Sequence, residues 1–320
     1  MNQTITAVQG LEAGHYTDLE HATGCTVFLC RAGAVGGVDV RGGSPGTRET
    51  DLLRPVHRVN QVHAVVLSGG SAFGLDAASG VVAYLESQGI GFRVGPVVVP
   101  IVSSAILFDL GLISADVRPG PKEGHSACLA SSAEPMSEGS VGAGTGATVA
   151  KLGGAARAVK GGIGTASITL ATGHTVAAAV AVNAVGGIWD YTNGQIVAGP
   201  RRQGGGFDDS VAMLLNDESD APAGPVNTTI GLVATDARIS KEDANYLARL
   251  SHDGLAMTIR PCHTVRDGDT MFAMATGQHQ SPADLTALGA AAVEATAQAV
   301  LRAIRQASGL GGIPSITEWP

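Results

Sequence analysis

The chain has 320 residues, of which 44% are hydrophobic and 15% charged, so it can bury enough core for one large or two small globular domains. Its net charge of -8, with no Lys/Arg run longer than two residues, disfavours a nucleic acid or an anionic membrane as partner and favours a small neutral or cationic substrate. The 45 glycines follow no three-residue period and accompany only 4% aromatic residues, which excludes collagen and favours tight turns between short strands.

The first third of the chain begins with three predicted strands and a helix. The strands cover residues 24–30, 36–40 and 62–70, and a Gly-rich turn closes each of them. Apolar residues then recur at helical spacing through residues 71–89, which gives a strand, a glycine turn and a helix in succession. Residues 103–111 fit either another helix or a short strand.

Antiparallel strands are predicted in the middle of the chain, and a loop follows them. Residues 156–190 contain two or three strands, with Gly161-Gly162 and Gly173-His174 as the turns between them. Residues 196–225 combine Pro200, three consecutive glycines and several acidic residues. This composition predicts an exposed loop that acts as a linker.

The last part of the chain alternates strands and helices. A strand is predicted at residues 230–236, a helix at about 241–255 with Ser240 as its N-cap, and another strand at 269–277. A long alanine-rich helix with Ser281 as its N-cap ends the pattern. No repeat of about 20 to 50 residues is evident, and the whole pattern predicts a mixed α/β (α+β) fold with helices covering the strands.

The termini and cysteines indicate a reducing compartment. The first twenty residues have no cationic start followed by an apolar stretch, so we expect no signal peptide. The apolar region 93–110 is interrupted by Pro96 and Pro100 and is too short between them to span a bilayer. We therefore expect a cytoplasmic protein without a membrane partner, metal or cofactor, and with four reduced cysteines that form no C-x-x-C: Cys25, Cys30, Cys128 and Cys262.

Two glycine-rich motifs are incomplete. The stretch LSGGSAFGLD resembles a nucleophile elbow, but Phe73 stands where the motif needs a glycine, so a serine hydrolase built on Ser71 and His63 is disfavoured. Residues 141–151 give a partial G-x-G-x-x-A without a clear preceding strand or the later acidic residue, which argues against dinucleotide binding. Their glycines can instead bring backbone N–H groups close to a substrate carbonyl, ahead of Lys151.

Four polar residues at or beyond the end of these motifs are candidates for chemistry. Lys151 lies among small apolar residues, where desolvation would lower its pKa and make it a better base, although a solvated surface lysine is the simpler interpretation. Asn183 lies in an apolar strand and is either a hydrogen-bonded core residue or an oxyanion donor. Asp267 and Asp269 flank one glycine and either form a turn or point to the same side and hold an amine.

Thr228 stands where the predicted linker meets a predicted strand. It is either a β-branched residue at a strand start or a nucleophile that becomes a new amino terminus when the bond after Asn227 is cut. The glycosylation pattern at Asn227-Thr228-Thr229 would require a secreted chain and is therefore interpreted as accidental.

Five motifs, taken together and in this order, resemble the DmpA/BapA-type self-processing aminopeptidase family, and most closely its NylC nylon-oligomer hydrolase branch. The similarity covers nearly the whole chain, and its motifs are GGSAFGLDA, GATVAK, VAVNAVG, NTTIGLVATDA and RDGDTMFA. The resemblance implies a four-layer α-β-β-α sandwich of the DmpA and ornithine acetyltransferase type, with an N-terminal nucleophile. It also implies one domain, residues 1–320, that cuts itself into residues 1–227 and 228–320.

The resemblance also implies roles for individual residues. Thr228 is then the nucleophile, Asn227-Thr228 the processing bond, Lys151 and Asn183 neighbours of the nucleophile, and Asp267 and Asp269 the pair that positions the new amine. It implies that substrate is bound by Phe108 and by the turn Gly69, Gly70 and Ser71. Phe108 stands where the family has a tyrosine, so the family's substrate preference does not carry over.

The partners implied are a small peptide or amide substrate and further copies of the chain, because the family forms assemblies of its paired chains, here expected to be a tetramer. Three functional classes stay open at this point: an amide hydrolase, an acyltransferase of the ornithine acetyltransferase type that uses the same threonine, and a binding protein that is never cut. The sequence also leaves open whether an amino terminus is trimmed or an oligomer is cut internally.

Overall fold

A computed structural model describes residues 2–220 and 227–320. The helices within these ranges are α1 (Ala77–Ser87), α2 (Pro121–Leu129), α3 (Ser210–Leu215), α4 (Lys241–Thr258) and α5 (Leu285–Arg305). The strands of the amino-terminal part are β1 (Glu12–Asp18), β2 (Thr23–Val40), β3 (Thr47–Arg48), β4 (Gln61–Ser68), β5 (Phe92–Val94), β6 (Val97–Val99), β7 (Val102–Ile106) and β8 (Thr148–Val149). The later strands are β9 (Val159–Lys160), β10 (Gly162–Thr169), β11 (Thr175–Asn183), β12 (Gly187–Asp190), β13 (Gln195–Ala198), β14 (Thr228–Ala237), β15 (Ile259–Arg260) and β16 (Thr270–His279).

Most of the longer strands belong to one large sheet that the long strand β2 divides into two halves. The order is β10-β11-β14-β16-β2-β4-β7-β3, with β1 also paired to β2. The β14–β16 and β4–β7 pairs are parallel and the other pairs in this sheet antiparallel. The register of β2 shifts between Leu29 and Ala34; its first part pairs with β1 and β4, and its last part with β16. A bulge of this kind bends a strand, so β2 carries the chain from one half-sheet to the other.

The two half-sheets face one another and each carries helices on its outer side. Alternate residues of β11 show this: Ala177, Ala179 and Ala181 belong to the core that also contains Phe28 and Val65 of the other half. The residues between them pack against α5 in a second core, while the other half-sheet packs against α1 and α2 in a third. This arrangement, α-β-β-α, confirms the predicted four-layer sandwich.

Helix α5 lies close to the sheet because both surfaces carry small residues. A Cβ added at Gly164 of β10 would lie 2.2 Å from the Ala299 carbonyl oxygen of α5, so only glycine fits there. By length and composition α5 could cross a membrane, but 67% of its most apolar window is buried inside the protein. Its pattern is typical of a core helix in a globular protein.

Two turns predicted at glycines lie within or beside strands. Residues 24–30 and 36–40 form one strand, β2, so the turn predicted between them is wrong; Gly37 of β2 is needed because a Cβ there would lie 2.4 Å from the backbone of Ala244 in α4. The predicted turn at Gly161-Gly162 is also wrong: Gly162 begins β10, and its Cβ would lie 2.6 Å from the Ala303 carbonyl oxygen of α5. In both places glycine permits close helix approach rather than a turn.

Four further predictions are decided by the structure. Residues 103–111 begin as strand β7. The turn at Gly173-His174 is confirmed by the Gly173 N–H bond to the Leu170 carbonyl. Helix α5 starts at Leu285 with Asp284 as N-cap, so the predicted N-cap at Ser281 is wrong. The predicted loop 196–225 contains the end of β13 and helix α3, and its residues 221–225 lie outside the described residues.

Candidate active site

Thr228 lies where three elements of the large sheet end or begin. It is the first residue of β14 and pairs with Asn183, the last residue of β11. Asn227 forms a bridge with Asp267, just before the parallel neighbour β16. Thr228 is only 4% exposed, so its hydroxyl reacts, if at all, in surroundings that exclude most water.

The carbonyl group of Asn227 has two donors at its oxygen. The Thr228 hydroxyl donates to it, and the Gly268 backbone N–H donates to it at 3.0 Å. A nucleophile is therefore adjacent to the peptide bond that precedes it, and an N–H group points at the oxygen on which negative charge would develop. Gly268 permits this approach, since a Cβ there would lie 2.9 Å from the Thr228 Oγ1.

Lys151 is buried in the turn after β8. Ala150 before it has a left-handed φ of 59°, and the Lys151 N–H donates to the Val185 carbonyl at 3.0 Å, which fixes the turn beside the end of β11. The Lys151 Nζ donates to the Asn183 carbonyl at 3.0 Å and to its Oδ1 at 2.8 Å. Burial lowers the pKa of Lys151 to about 7, while Asp267 and Asp109 act in the opposite direction. A large share of Lys151 is thus neutral near pH 7 and able to accept a proton.

Asn183, the last residue of β11, hydrogen-bonds to three residues that line a cavity beside Lys151. Its Oδ1 accepts from the Thr148 N–H at 3.0 Å as well as from Lys151, and its Nδ2 donates to the Phe108 carbonyl at 3.0 Å. The buried amide is therefore hydrogen-bonded at both ends, which agrees with the first of its two interpretations and leaves a role toward an oxyanion as a prediction.

The two carboxylates lie beside the first residues of β14. Asp269 accepts the Thr229 N–H at 2.6 Å through Oδ1. Asp267 accepts from the Thr264 N–H at 2.9 Å and the Thr264 hydroxyl at 2.5 Å, both through Oδ2. Burial and the adjacent Asp269 carboxylate raise the pKa of Asp267. Its Oδ1 is buried without a hydrogen-bond partner among the described residues, so it can accept a further donor.

A cavity of about 410 Å³ opens beside Lys151. Most of its wall is apolar, and its lining residues are Phe108, Asp109, Gly111, Leu112, Gly146, Thr148, Lys151, Ala155, Ala156, Ala158, Gly311 and Ile313. Of the predicted substrate residues, Phe108 lines this cavity. Gly69, Gly70 and Ser71 lie behind it, where the Gly70 N–H donates to the Asp109 carboxylate at 2.7 Å.

Two charged residues of this region were not found from the sequence. Asp109 lines the cavity and accepts from the Thr23 hydroxyl at 2.7 Å, and burial raises its pKa to about 6. Lys160 donates to three backbone carbonyls at 2.8 to 3.1 Å, which secures the glycine loop before Lys151, and burial lowers its pKa to about 7. Three N–H donors are present only in an ammonium group, so this geometry favours charged Lys160. The sequence signal that could have revealed Lys160 is its position inside an apolar run.

The alternative site at Ser71 and His63 is not assembled. His63 lies near the start of β4 and Ser71 follows its end, which separates them by roughly 20 Å at about 3.3 Å per residue. The His63 Nδ1 accepts the Ile101 N–H. A serine hydrolase that uses this pair is therefore excluded by the topology.

If the Thr228 hydroxyl cuts the bond that precedes it, Gly268→Ala should slow that cleavage about 10- to 100-fold, somewhat less than the ~10²- to 10³-fold loss when an oxyanion donor is removed outright. The added Cβ would meet the Ser44 carbonyl oxygen at 2.7 Å and the Thr228 Oγ1 at 2.9 Å, so the N–H and hydroxyl must move apart. The fraction of cut chain over time, followed on denaturing gels, measures this. Gly120→Ala is the control, since its Cβ meets only the Glu123 side chain at 3.3 Å; equal slowing in both variants would contradict the argument.

A family model and several relatives match nearly the whole chain. A family model described as peptidase family S58 matches residues 3–316. An uncharacterized aminopeptidase of Mycobacterium tuberculosis is 41% identical, over 98% of this chain and 96% of the relative. A 6-aminohexanoate-oligomer endohydrolase of Kocuria sp. is 32% identical, over 92% of this chain and 83% of the relative.

Solved structures agree on the fold. The L-aminopeptidase D-Ala-esterase/amidase of Ochrobactrum anthropi, described as a variant of the Ntn hydrolase fold, has a TM-score of 0.72 at 21% identity and covers 98% of this chain and 88% of that chain. A Burkholderia sp. beta-aminopeptidase has a TM-score of 0.69 at 24% identity, covering 98% of this chain and 90% of that chain. These likenesses confirm the predicted N-terminal-nucleophile-type sandwich.

Proposed function

The chain belongs to peptidase family S58 and is thus a hydrolase of amide or peptide bonds, and from this premise we propose that it cuts itself before Thr228 and then uses that residue as its nucleophile. The observation that carries the proposal is the Asn227 carbonyl oxygen, which accepts both the Thr228 hydroxyl and the Gly268 N–H. The Gly268 N–H also closes the bridge between Asn227 and Asp267, so the sheet itself holds this donor at the carbonyl that would be attacked.

The first stage is an acyl shift within the precursor. Thr228 Oγ1 loses its proton to neutral Lys151 and attacks the Asn227 carbonyl carbon, and the Gly268 N–H stabilises the charge on the oxygen. The carbon–nitrogen bond breaks, the nitrogen of Thr228 takes up the proton, and an ester joins Asn227 to Oγ1. Water then hydrolyses the ester, which leaves a carboxylate on Asn227 and a free α-amine on Thr228.

The second stage repeats this chemistry on a substrate. Oγ1 attacks a substrate amide, with its proton taken by the α-amine or by Lys151, and the leaving amine departs with a proton. Hydrolysis of the resulting ester restores the enzyme. The Oδ1 of Asp267, which has no hydrogen-bond partner in the described part of the chain, is the acceptor that we assign to the new α-amine. Asn183 holds Lys151 in place through its two oxygens.

The cavity beside Lys151 suggests the substrate class. Its wall is mostly apolar, and its acid, Asp109, already accepts two hydrogen bonds from the protein. An uncharged aliphatic chain next to the amide bond fits this wall. The relatives whose names state a substrate act on 6-aminohexanoate oligomers, which contain such chains.

Ala156→Glu should raise the KM for an uncharged aliphatic amide about tenfold or more, because a carboxylate would have to be desolvated or displaced by the substrate. Ala156 is exposed on the cavity wall, so folding and self-cleavage should be unchanged. Steady-state kinetics together with the fraction of cut chain measure both effects. An unchanged KM would place substrate outside this cavity.

Hydrolysis and acyl transfer are separated by one experiment. The purified protein is incubated with a short 6-aminohexanoate oligomer, with and without an added acceptor amine, and the products are identified by mass. A hydrolase releases free acid and amine at the same rate in both cases. Turnover only when the acceptor is present would replace the hydrolase by an acyltransferase that uses the same threonine.

A further inference from the structure

Two consecutive residues hold the two carboxylates of the candidate site. His263 donates to the Asp269 Oδ2 through its backbone N–H at 3.0 Å and through its ring Nδ1 at 2.8 Å. Thr264 holds Asp267 in the same way, with its backbone N–H and its hydroxyl on a single oxygen. Of these two residues, only His263 can carry a positive charge.

The backbone favours few residues at this position. His263 has a left-handed φ of 55°, a conformation that asparagine, aspartate and histidine tolerate better than other side chains. In this conformation the N–H and the ring both reach the same carboxylate oxygen. The side chain of Asp269 is 2% exposed and that of His263 18%, so the pair is shielded from water and its charges interact strongly.

Of two adjacent histidines, His263 is the one whose ring bonds to a carboxylate; its Nε2 has no hydrogen-bond partner among the described residues. Its ring packs edge-on against His252, with 4.8 Å between ring centroids, and Cys262 and Asp269 are its other titratable neighbours. The His252 Nε2 bonds to the Asp39 carbonyl, and burial lowers the pKa of His252 to about 4, so this ring stays neutral. Burial alone would lower the pKa of His263 too, but its hydrogen bond to Asp269 raises that pKa to about 10.

A positive charge on His263 acts on the two carboxylates of the candidate site. The carboxylates of Asp267 and Asp269 lie next to one another in a buried site, and Asp269 accepts the Thr229 N–H beside the proposed nucleophile. A positive charge on the far oxygen of Asp269 offsets the repulsion between the two carboxylates. The resulting chain of contacts runs from His263 through Asp269 to the first residues of β14.

We propose that His263 is a cationic positioning residue, which holds the Asp269 carboxylate directed at the backbone beside Thr228. This inference rests on the proposed function, because it assigns a task within the same site. It predicts an effect of the charge of His263 that is separate from the effect of its hydrogen bonds.

His263→Asn separates the two effects. Asparagine accepts the left-handed backbone and offers an amide N–H in place of the ring Nδ1, but it carries no charge. We expect a folded protein whose self-cleavage and kcat fall about 10- to 100-fold, the range typical when a partner that orients a reactive group is lost. KM should change little, because His263 touches the Asp269 carboxylate and not the cavity beside Lys151.

His174→Asn is the matched control. His174 also packs on a second histidine and also uses its Nδ1 in a side-chain hydrogen bond, but its partner is the Thr172 hydroxyl, and it lies in the turn before β11, at the opposite end of that strand from Asn183. A His263→Asn variant with the wild-type self-cleavage and kcat, or one matched by His174→Asn, would overturn the proposal. Cutting before Thr228 in that variant would still leave the proposed function intact.

A second readout does not depend on any variant. In the wild-type protein with ¹⁵N-labelled histidine, the nitrogen shifts of His263 at pH 8 should be those of an imidazolium, and those of His252 should be those of a neutral ring. A neutral His263 at pH 8 would refute the cationic role, whatever the activity of the variants.

Discussion

Thr228→Ala is expected to remain a single chain of 32.1 kDa and to show no amide hydrolysis above background. The substitution removes the hydroxyl that donates to the Asn227 carbonyl oxygen, and with it the nucleophile of both proposed stages. Loss of a nucleophile in other hydrolases costs on the order of 10⁶-fold in turnover. Intact mass under denaturing conditions and release of amine from a test oligomer measure the two losses.

Thr228→Ser supplies the control for this prediction. Serine keeps a hydroxyl on the same backbone, so the chain should still cut itself, more slowly because the missing methyl group leaves χ1 less restricted. Thr228→Ala removes little buried surface, so the free energy of unfolding of this variant should stay within about 1 kcal/mol of the wild-type value. Efficient cutting of the folded alanine variant at the same bond would rule out the proposed nucleophile.

Lys151→Met should lower self-cleavage and kcat about 10²- to 10⁴-fold, the range for loss of a general base. Methionine fills nearly the same space without a nitrogen, so the proton of Thr228 loses its acceptor. Because burial lowers the pKa of Lys151 to about 7, the wild-type rate should rise as pH increases through about 7 and the lysine becomes neutral. The variant should lack this rise, which the initial rate of self-cleavage between pH 5 and 9 measures.

Stability gives an independent check on Lys151. Its folded pKa lies below the ordinary value of 10.5, so the unfolded chain binds the extra proton between about pH 7 and 10.5 and the folded state is penalised as pH falls through that window. Lys151→Met removes the penalty and should be no less stable than the wild type at pH 7.

Lys241→Met is the control for the effect on rate, since the Lys241 Nζ donates to three backbone carbonyls at the other end of the fold. A Lys241 variant with the same loss of rate would contradict a catalytic role for Lys151.

The residues of the candidate site were predictable, but their assembly was not. A lysine and an asparagine within apolar runs, and a threonine after a turn-rich loop, are local signals. Their proximity depends on the register that places Asn183 opposite Thr228. A slip of one residue would turn these side chains to the opposite face of the sheet, and nothing in the local pattern determines that register.

The fold differed from expectation where glycine has two uses. Turns and close helix approaches favour the same residue, so one turn was predicted after residues 24–30 and another at Gly162, although Gly37 and Gly162 lie in strands and face helices. At the start of α5, Ser281 and Asp284 are both good N-caps, and local preference does not rank them. Packing of Leu285 and Leu288 against the core beside α4 fixes the later start.

His263 shows the same limit at the site. Nothing in the sequence links this histidine to Asp269, which lies six residues later. Their contact requires the left-handed backbone of His263 and the turn that the Asp267 N–H closes on the Thr264 carbonyl. The division into residues 1–227 and 228–320 and an assembly of such pairs stay predictions, and both depend on whether the chain is cut.

The intact mass of freshly purified wild-type protein under denaturing conditions, with sequencing of any new amino terminus, tests the account most directly. We predict two chains that add up to the mass of the precursor plus one water, the smaller beginning Thr228-Thr229-Ile230. A protein that hydrolyses amides fully while it stays one chain of 32.1 kDa, or that is cut at another bond, would contradict the assignment of Thr228.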